Sequence, residues 1–102
     1  MNELRHDPRF RCSFPAVFEG PRGAVRGTCT NLSLGGLFFE GGQLAVGTNA
    51  DVTLDVPAIG KLKLHTQVRH HSLTPKGMGV QFTRFDPGQV ELLQRALATF
   101  TR

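Results

Sequence analysis

Between Phe14 and Phe82 the chain alternates with a period of two. Phe14, Ala16 and Phe18 share one parity, as do Val52, Leu54 and Val56, then Leu62, Leu64, Thr66 and Val68, and finally Met78, Val80 and Phe82. Successive side chains of an extended strand point to opposite faces, so each run has one buried and one solvated face. Thr53 and Asp55 point outward in one run; Lys61, Lys63, His65, Gln67 and Arg69 do so in another. Turn-forming sequence separates the runs: Gly20-Pro21-Arg22-Gly23, Gly41-Gly42 with a loop through Gly47-Thr48-Asn49, Pro57 to Gly60, and Thr74-Pro75-Lys76-Gly77. With shorter strands over 24–30 and 37–40, the pattern predicts five or six antiparallel strands. Closing them into a small barrel removes the exposed edges an open sheet would present.

The period changes after residue 85. Asp86 suits a helix N-cap, Pro87 the first helical position, and Gln89 completes a capping-box pattern. Val90, Leu93, Leu97 and Phe100 then recur at helical spacing, which predicts a helix over 87–101 with that stripe against the barrel. Residues 1–11 stand apart from the barrel of 12–102. They hold Arg5, His6, Asp7, Arg9 and Arg11 around Pro8, and Pro8 favours an extended Asp7. Extended, Arg5 and Arg9 lie at most about 14 Å apart and could grip different parts of one ligand.

At 102 residues the chain is sized for one domain. No apolar run reaches the roughly 20 residues of a membrane span, and Met1 to Asp7 lacks the apolar stretch of a signal peptide, so the expected location is the cytoplasm. There the two cysteines, Cys12 and Cys29, are expected as buried or half-buried thiols. Two Cys and four scattered His show no zinc spacing, and no cofactor or metal is expected. The net charge of +4 favours an anionic partner.

One polar stretch interrupts the strands: Asn31-Leu32-Ser33-Leu34-Gly35-Gly36, with hydrophobic sequence resuming at Leu37-Phe38-Phe39. Taken alone it reads as a tight turn, or as a glycine-permissive corner that meets a ligand.

Three features stand in order: Arg5-x-x-x-Arg9, Asn31-x-Ser33-x-x-Gly36, and Gly77-Met78-Gly79-Val80-Gln81-Phe82 before the helix. This arrangement resembles the PilZ family of bacterial cyclic di-GMP receptors over nearly the whole chain. The resemblance implies a six-stranded antiparallel β-barrel with one C-terminal helix, in a stand-alone member of the family. It implies cyclic di-GMP as ligand, bound by Arg5, Arg9, Asn31, Ser33 and Gly36, with His6, Arg11 and Gly35 flanking them. His6 stands where many relatives carry a further Arg. The chemistry agrees, because a guanidinium pairs bidentately with phosphate or with guanine O6 and N7 and stacks on the base. The implied mechanism folds the N-terminal segment over the barrel beside Asn31 and Ser33, reshaping a surface for an effector protein.

Three rivals follow from the same residues. An enzyme is disfavoured, because His6-Asp7 has no framework of further metal ligands and Ser33 no His-Asp pair. A nucleic-acid-binding barrel would use Lys61, Lys63, His65, Arg69 and His71 along a phosphate backbone, but the Phe residues fall mostly at core positions rather than on an exposed stacking face. An adaptor that binds a partner protein without a ligand would share the fold.

Overall fold

The computed structural model describes residues 9–98. Six strands follow in order: β1 (Phe10–Gly20), β2 (Gly23–Leu32), β3 (Gly36–Glu40), β4 (Asn49–Val56), β5 (Gly60–Leu73) and β6 (Lys76–Arg84). One helix, α1 (Gln89–Ala98), completes the described residues. The strands pair antiparallel in the order β1-β2-β3-β6-β5-β4, and β4 returns to β1 through Ala16↔Leu54, Val17↔Thr53 and Phe18↔Val52. The six-stranded barrel is therefore closed, as the alternation required.

The inward parity fills the interior. Phe18, Phe39, Leu32, Leu54, Leu64, Val52, Val68 and Met78 are each almost wholly buried. Phe18 meets Phe39 edge to face, with ring centroids 4.8 Å apart. Leu93, Ala96 and Leu97 of α1 join the same core. Each large aliphatic or aromatic side chain so buried contributes about 1.5–3 kcal/mol relative to exposure.

Three boundaries differ from the sequence reading. Strand β1 starts at Phe10, so Phe10 and Arg11 belong to the barrel rather than to the N-terminal segment. Strand β2 continues through Asn31 and Leu32, so Asn31 belongs to the sheet and only 33–35 form the turn. The helix starts at Gln89 rather than Pro87. Gly88, at φ +85°, supplies the carbonyl that accepts the amide of Leu92, and so takes the N-cap position. The Gln89 side chain does accept from the Asp86 amide at 2.8 Å, which is half of the expected capping box. The other half is missing because the Asp86 carboxylate is held by His65 instead. Shifting the helix start also leaves Val90 37% exposed, outside the buried stripe. Phe100 and the predicted helix end lie outside the described residues.

Bulges set which side chains face outward near the turn. Arg11 pairs with Asn31 and Phe14 with Cys29, so Cys12 and Ser13 together oppose Thr30. Thr30 is in turn the extra residue against β3, where Cys29 pairs with Phe39 and Asn31 with Phe38.

Candidate functional site

The turn between β2 and β3 is built by Ser33. Its side chain is buried, and its Oγ accepts the amides of Gly35 at 3.1 Å and Gly36 at 3.2 Å. The same hydroxyl donates to the Gly36 carbonyl at 3.3 Å, and the Ser33 amide donates there at 2.9 Å. One donor and two acceptor positions are all a serine hydroxyl has, and all three are engaged. The turn is fixed to β6, where the Phe82 amide donates to the Gly35 carbonyl at 2.9 Å. Gly36 pairs with Gln81, and a methyl in its place would collide with the Val80 carbonyl oxygen. The strand backbones thus require a glycine at 36 whether or not a ligand approaches.

Asn31 has the opposite character. It is half-buried, and among the described residues its side-chain amide forms no hydrogen bond. Its backbone carbonyl accepts the Cys29 thiol at 3.5 Å. Directly opposite on β1 stands Arg11, exposed. Continuing the same register, Asn31 pairs with Phe38, Phe38 with Gly79, and Gly79 with His70. Partners across a sheet share a face, so Arg11, Asn31, Phe38 and His70 form an outward belt across five strands. Gly79 supplies no side chain to the belt; the His70 ring lies over it and would meet any methyl placed there. The Phe38 and His70 rings are near parallel, 27° apart in plane, with centroids 6.4 Å apart. A guanidinium, a free amide and two rings in one row can pair with and stack on a nucleobase.

The belt is the part that reading the sequence missed. Phe38 belongs to the outward parity beside buried Phe39, so the alternation of Leu37-Phe38-Phe39 carried that signal. The place of His70 was not legible, because the bulge at Arg69 shifts the parity of β5 there. Arg9 is exposed and immediately precedes β1, two residues from Arg11. Arg5 and His6 lie outside the described residues.

The outward basic residues of β5 are interleaved with acids. Lys61 meets Asp55 at 3.7 Å, and Lys63 meets Glu19 at 3.2 Å and Asp51 at 3.8 Å. His65 bridges two carboxylates, Nδ1 to Asp51 at 2.8 Å and Nε2 to Asp86 at 3.0 Å. Arg69 donates to the Gln81 side chain at 2.7 Å, and His71 Nε2 lies 2.6 Å from the Leu44 carbonyl. Ion pairs near the surface stabilise little, but their carboxylates repel a phosphate backbone. A cavity of about 510 Å³ beside them is lined by Glu19, Asp51, His65 and Arg84, a charge balance ill suited to a phosphodiester. Among the described residues no cluster of His, Cys, Asp or Glu could hold a metal ion. No helix among them is long and apolar enough to cross a membrane.

Comparison with known proteins identifies the fold. A search of the curated proteins finds no match to the chain. Several solved structures share the fold. The Escherichia coli YcgR in complex with c-di-GMP matches with a TM-score of 0.84 at 19% identity, over 98% of this chain and 47% of that one. The PilZ domain of the same protein with c-di-GMP gives 0.82 at 16% identity, over 98% of this chain and 93% of that one. The Bacillus subtilis inhibitor of motility, MotI/DgrA, gives 0.75 at 16% identity, over 96% of this chain and 51% of that one. The chain thus spans about half the length of YcgR and of MotI/DgrA. The model of the PilZ domain matches residues 3–99, which include both arginines of the N-terminal motif, the Ser33 turn and the belt. With that match over nearly its whole length, on a closed six-stranded barrel with one C-terminal helix, the chain belongs to the PilZ domain family.

Proposed function

We propose that this protein is a receptor for cyclic di-GMP and passes the signal to an effector protein. The observation that carries the reading is the Asn31 amide, unpartnered among the described residues, at a position between exposed Arg11 and Phe38 beside a turn that Ser33 locks in place. YcgR and the Klebsiella MrkH are both known in complex with c-di-GMP on this fold, which supports the ligand assignment. In the proposal, Arg5 and Arg9 take phosphate and guanine edges through their planar forks, and Asn31 hydrogen-bonds a base. Ser33, Gly35 and Gly36 act by fixing the corner. Phe38 and His70 offer faces to the rings, with Arg11 and His6 at the periphery. Ligand contacts at Arg5 and Arg9 bring the segment that precedes β1 against the barrel and so create or hide a surface for the effector. The protein works by binding and shape change rather than by catalysis.

Isothermal titration with cyclic di-GMP tests this. The folded protein binds, and Arg9→Ala weakens binding by at least about 2 kcal/mol, roughly thirtyfold in Kd, the scale of a lost charge-assisted contact. No heat at high micromolar ligand from a folded protein would overturn the receptor reading and leave the ligand-independent adaptor. An unchanged affinity in Arg9→Ala would show that the arginine motif is not part of the site.

A further inference from the structure

Cys12 and Cys29 are the only cysteines of the chain, and the fold sets them against each other. Both are free thiols, Cys12 half-buried in the β1 bulge and Cys29 buried in β2. Their sulfurs are 3.7 Å apart. The Cys12 thiol also lies 3.3 Å from the Cys29 carbonyl, to which it donates. Neither thiol has a part in the ligand site proposed above.

We propose that Cys12 and Cys29 are a reversible oxidation site, closing to a disulfide between β1 and β2 when a hydroperoxide is present. Closure brings the sulfurs from 3.7 Å to about 2 Å. The movement falls on the bulge, where Cys12 and Ser13 together oppose Thr30 and the regular ladder is interrupted, so the backbone can yield there. The two thiols are not equivalent. The side-chain contact with Cys29 holds the Cys12 pKa below the usual thiol value, against the opposing effect of burial. The same contact, with burial, pushes Cys29 up. Cys12, the more accessible and more readily ionised, is the attacking sulfur, and Cys29 is the resolving one.

The step balances. The Cys12 thiolate attacks the terminal oxygen of the hydroperoxide, the O–O bond breaks, and the alkoxide leaves as alcohol after taking a proton. The resulting sulfenic acid is attacked by the Cys29 sulfur, whose proton leaves with the hydroxide as water. Two thiols lose two electrons and two protons, and the hydroperoxide becomes alcohol and water. The crosslink removes the thiol hydrogen bond to the Asn31 carbonyl and joins the strands one residue from Arg11.

Intact-protein mass spectrometry of the reduced full chain, treated with one equivalent of tert-butyl hydroperoxide, tests the assignment. The expected result is a loss of about 2 Da, reversed by dithiothreitol. A peptide digest should link Cys12 to Cys29, and neither Cys12→Ser nor Cys29→Ser should lose the two hydrogens within one chain. An unchanged mass, a gain of oxygen that stops at the sulfinic acid, or disulfide-linked dimers on a non-reducing gel would each overturn it. The readout needs no cyclic di-GMP, so it stands or falls apart from the ligand reading.

Discussion

Ser33 and Asn31 stand two residues apart in one motif, yet they have different jobs. The Ser33 hydroxyl satisfies two amides and one carbonyl of its own turn, whereas the Asn31 amide bonds to none of the described residues. Removing the hydroxyl leaves the Gly35 and Gly36 amides without their acceptor in a half-buried turn. Ser33→Ala should therefore lower stability by about 1–3 kcal/mol, read from urea unfolding midpoints at constant slope. Asn31→Ala should leave those midpoints nearly unchanged. If both variants unfold alike, the division of labour between the two side chains is wrong. Composition could nominate both residues, but it could not separate them: the difference lies in which hydrogen bonds the closed turn uses up.

At the scale of elements, the join between β5 and α1 runs through His65. Both ring nitrogens face carboxylates, Asp51 at 2.8 Å and Asp86 at 3.0 Å, and the Gln89 side chain donates to the Lys63 carbonyl beside them. Two acceptors favour the doubly protonated imidazolium, so hydrogen bonds from Asp86 and then Asp51 raise the His65 pKa above its ordinary 6.5, opposed by partial burial and by the charge of Arg84. The Asp86 carboxyl is correspondingly held below its usual 3.8, chiefly by its bond to His65. A raised histidine stabilises the fold fully below 6.5, and that contribution is lost as the pH rises through the raised value. The Asp86 share is present above 3.8 and is lost as the pH falls through the lowered value. Thermal unfolding of the wild type should accordingly lose ground to His65→Gln as the pH climbs from about 6.5. Parallel pH profiles for the two proteins would contradict the bridge. This join also explains the displaced helix start. Asp86 has the composition of an N-cap, but its carboxylate is drawn to a histidine 21 residues earlier, a long-range contact that local spacing does not carry.

For the whole molecule, the alternation dictated most of the architecture. Once Phe18, Val52, Leu54, Leu64, Val68 and Met78 share a parity, six strands around one core follow, and the structure closes them as expected. The bulges were not legible in the same way, and they decide what faces outward. Arg11, Asn31, Phe38 and His70 reach one belt only because β1, β2 and β5 each carry an extra residue at the right place. The rival track on the β5 face is crossed by Glu19, Asp51 and Asp55, so the proposed function puts an anionic ligand on this belt rather than on that strand. An amide NMR titration of the labelled protein with cyclic di-GMP tests that most directly. The account predicts shifts concentrated at Arg9, Arg11, Asn31, the Ser33–Gly36 turn, Phe38 and His70, with Asp51, Lys61 and Lys63 unmoved. Shifts centred on Asp51 and His65, or none at saturating ligand, would contradict it.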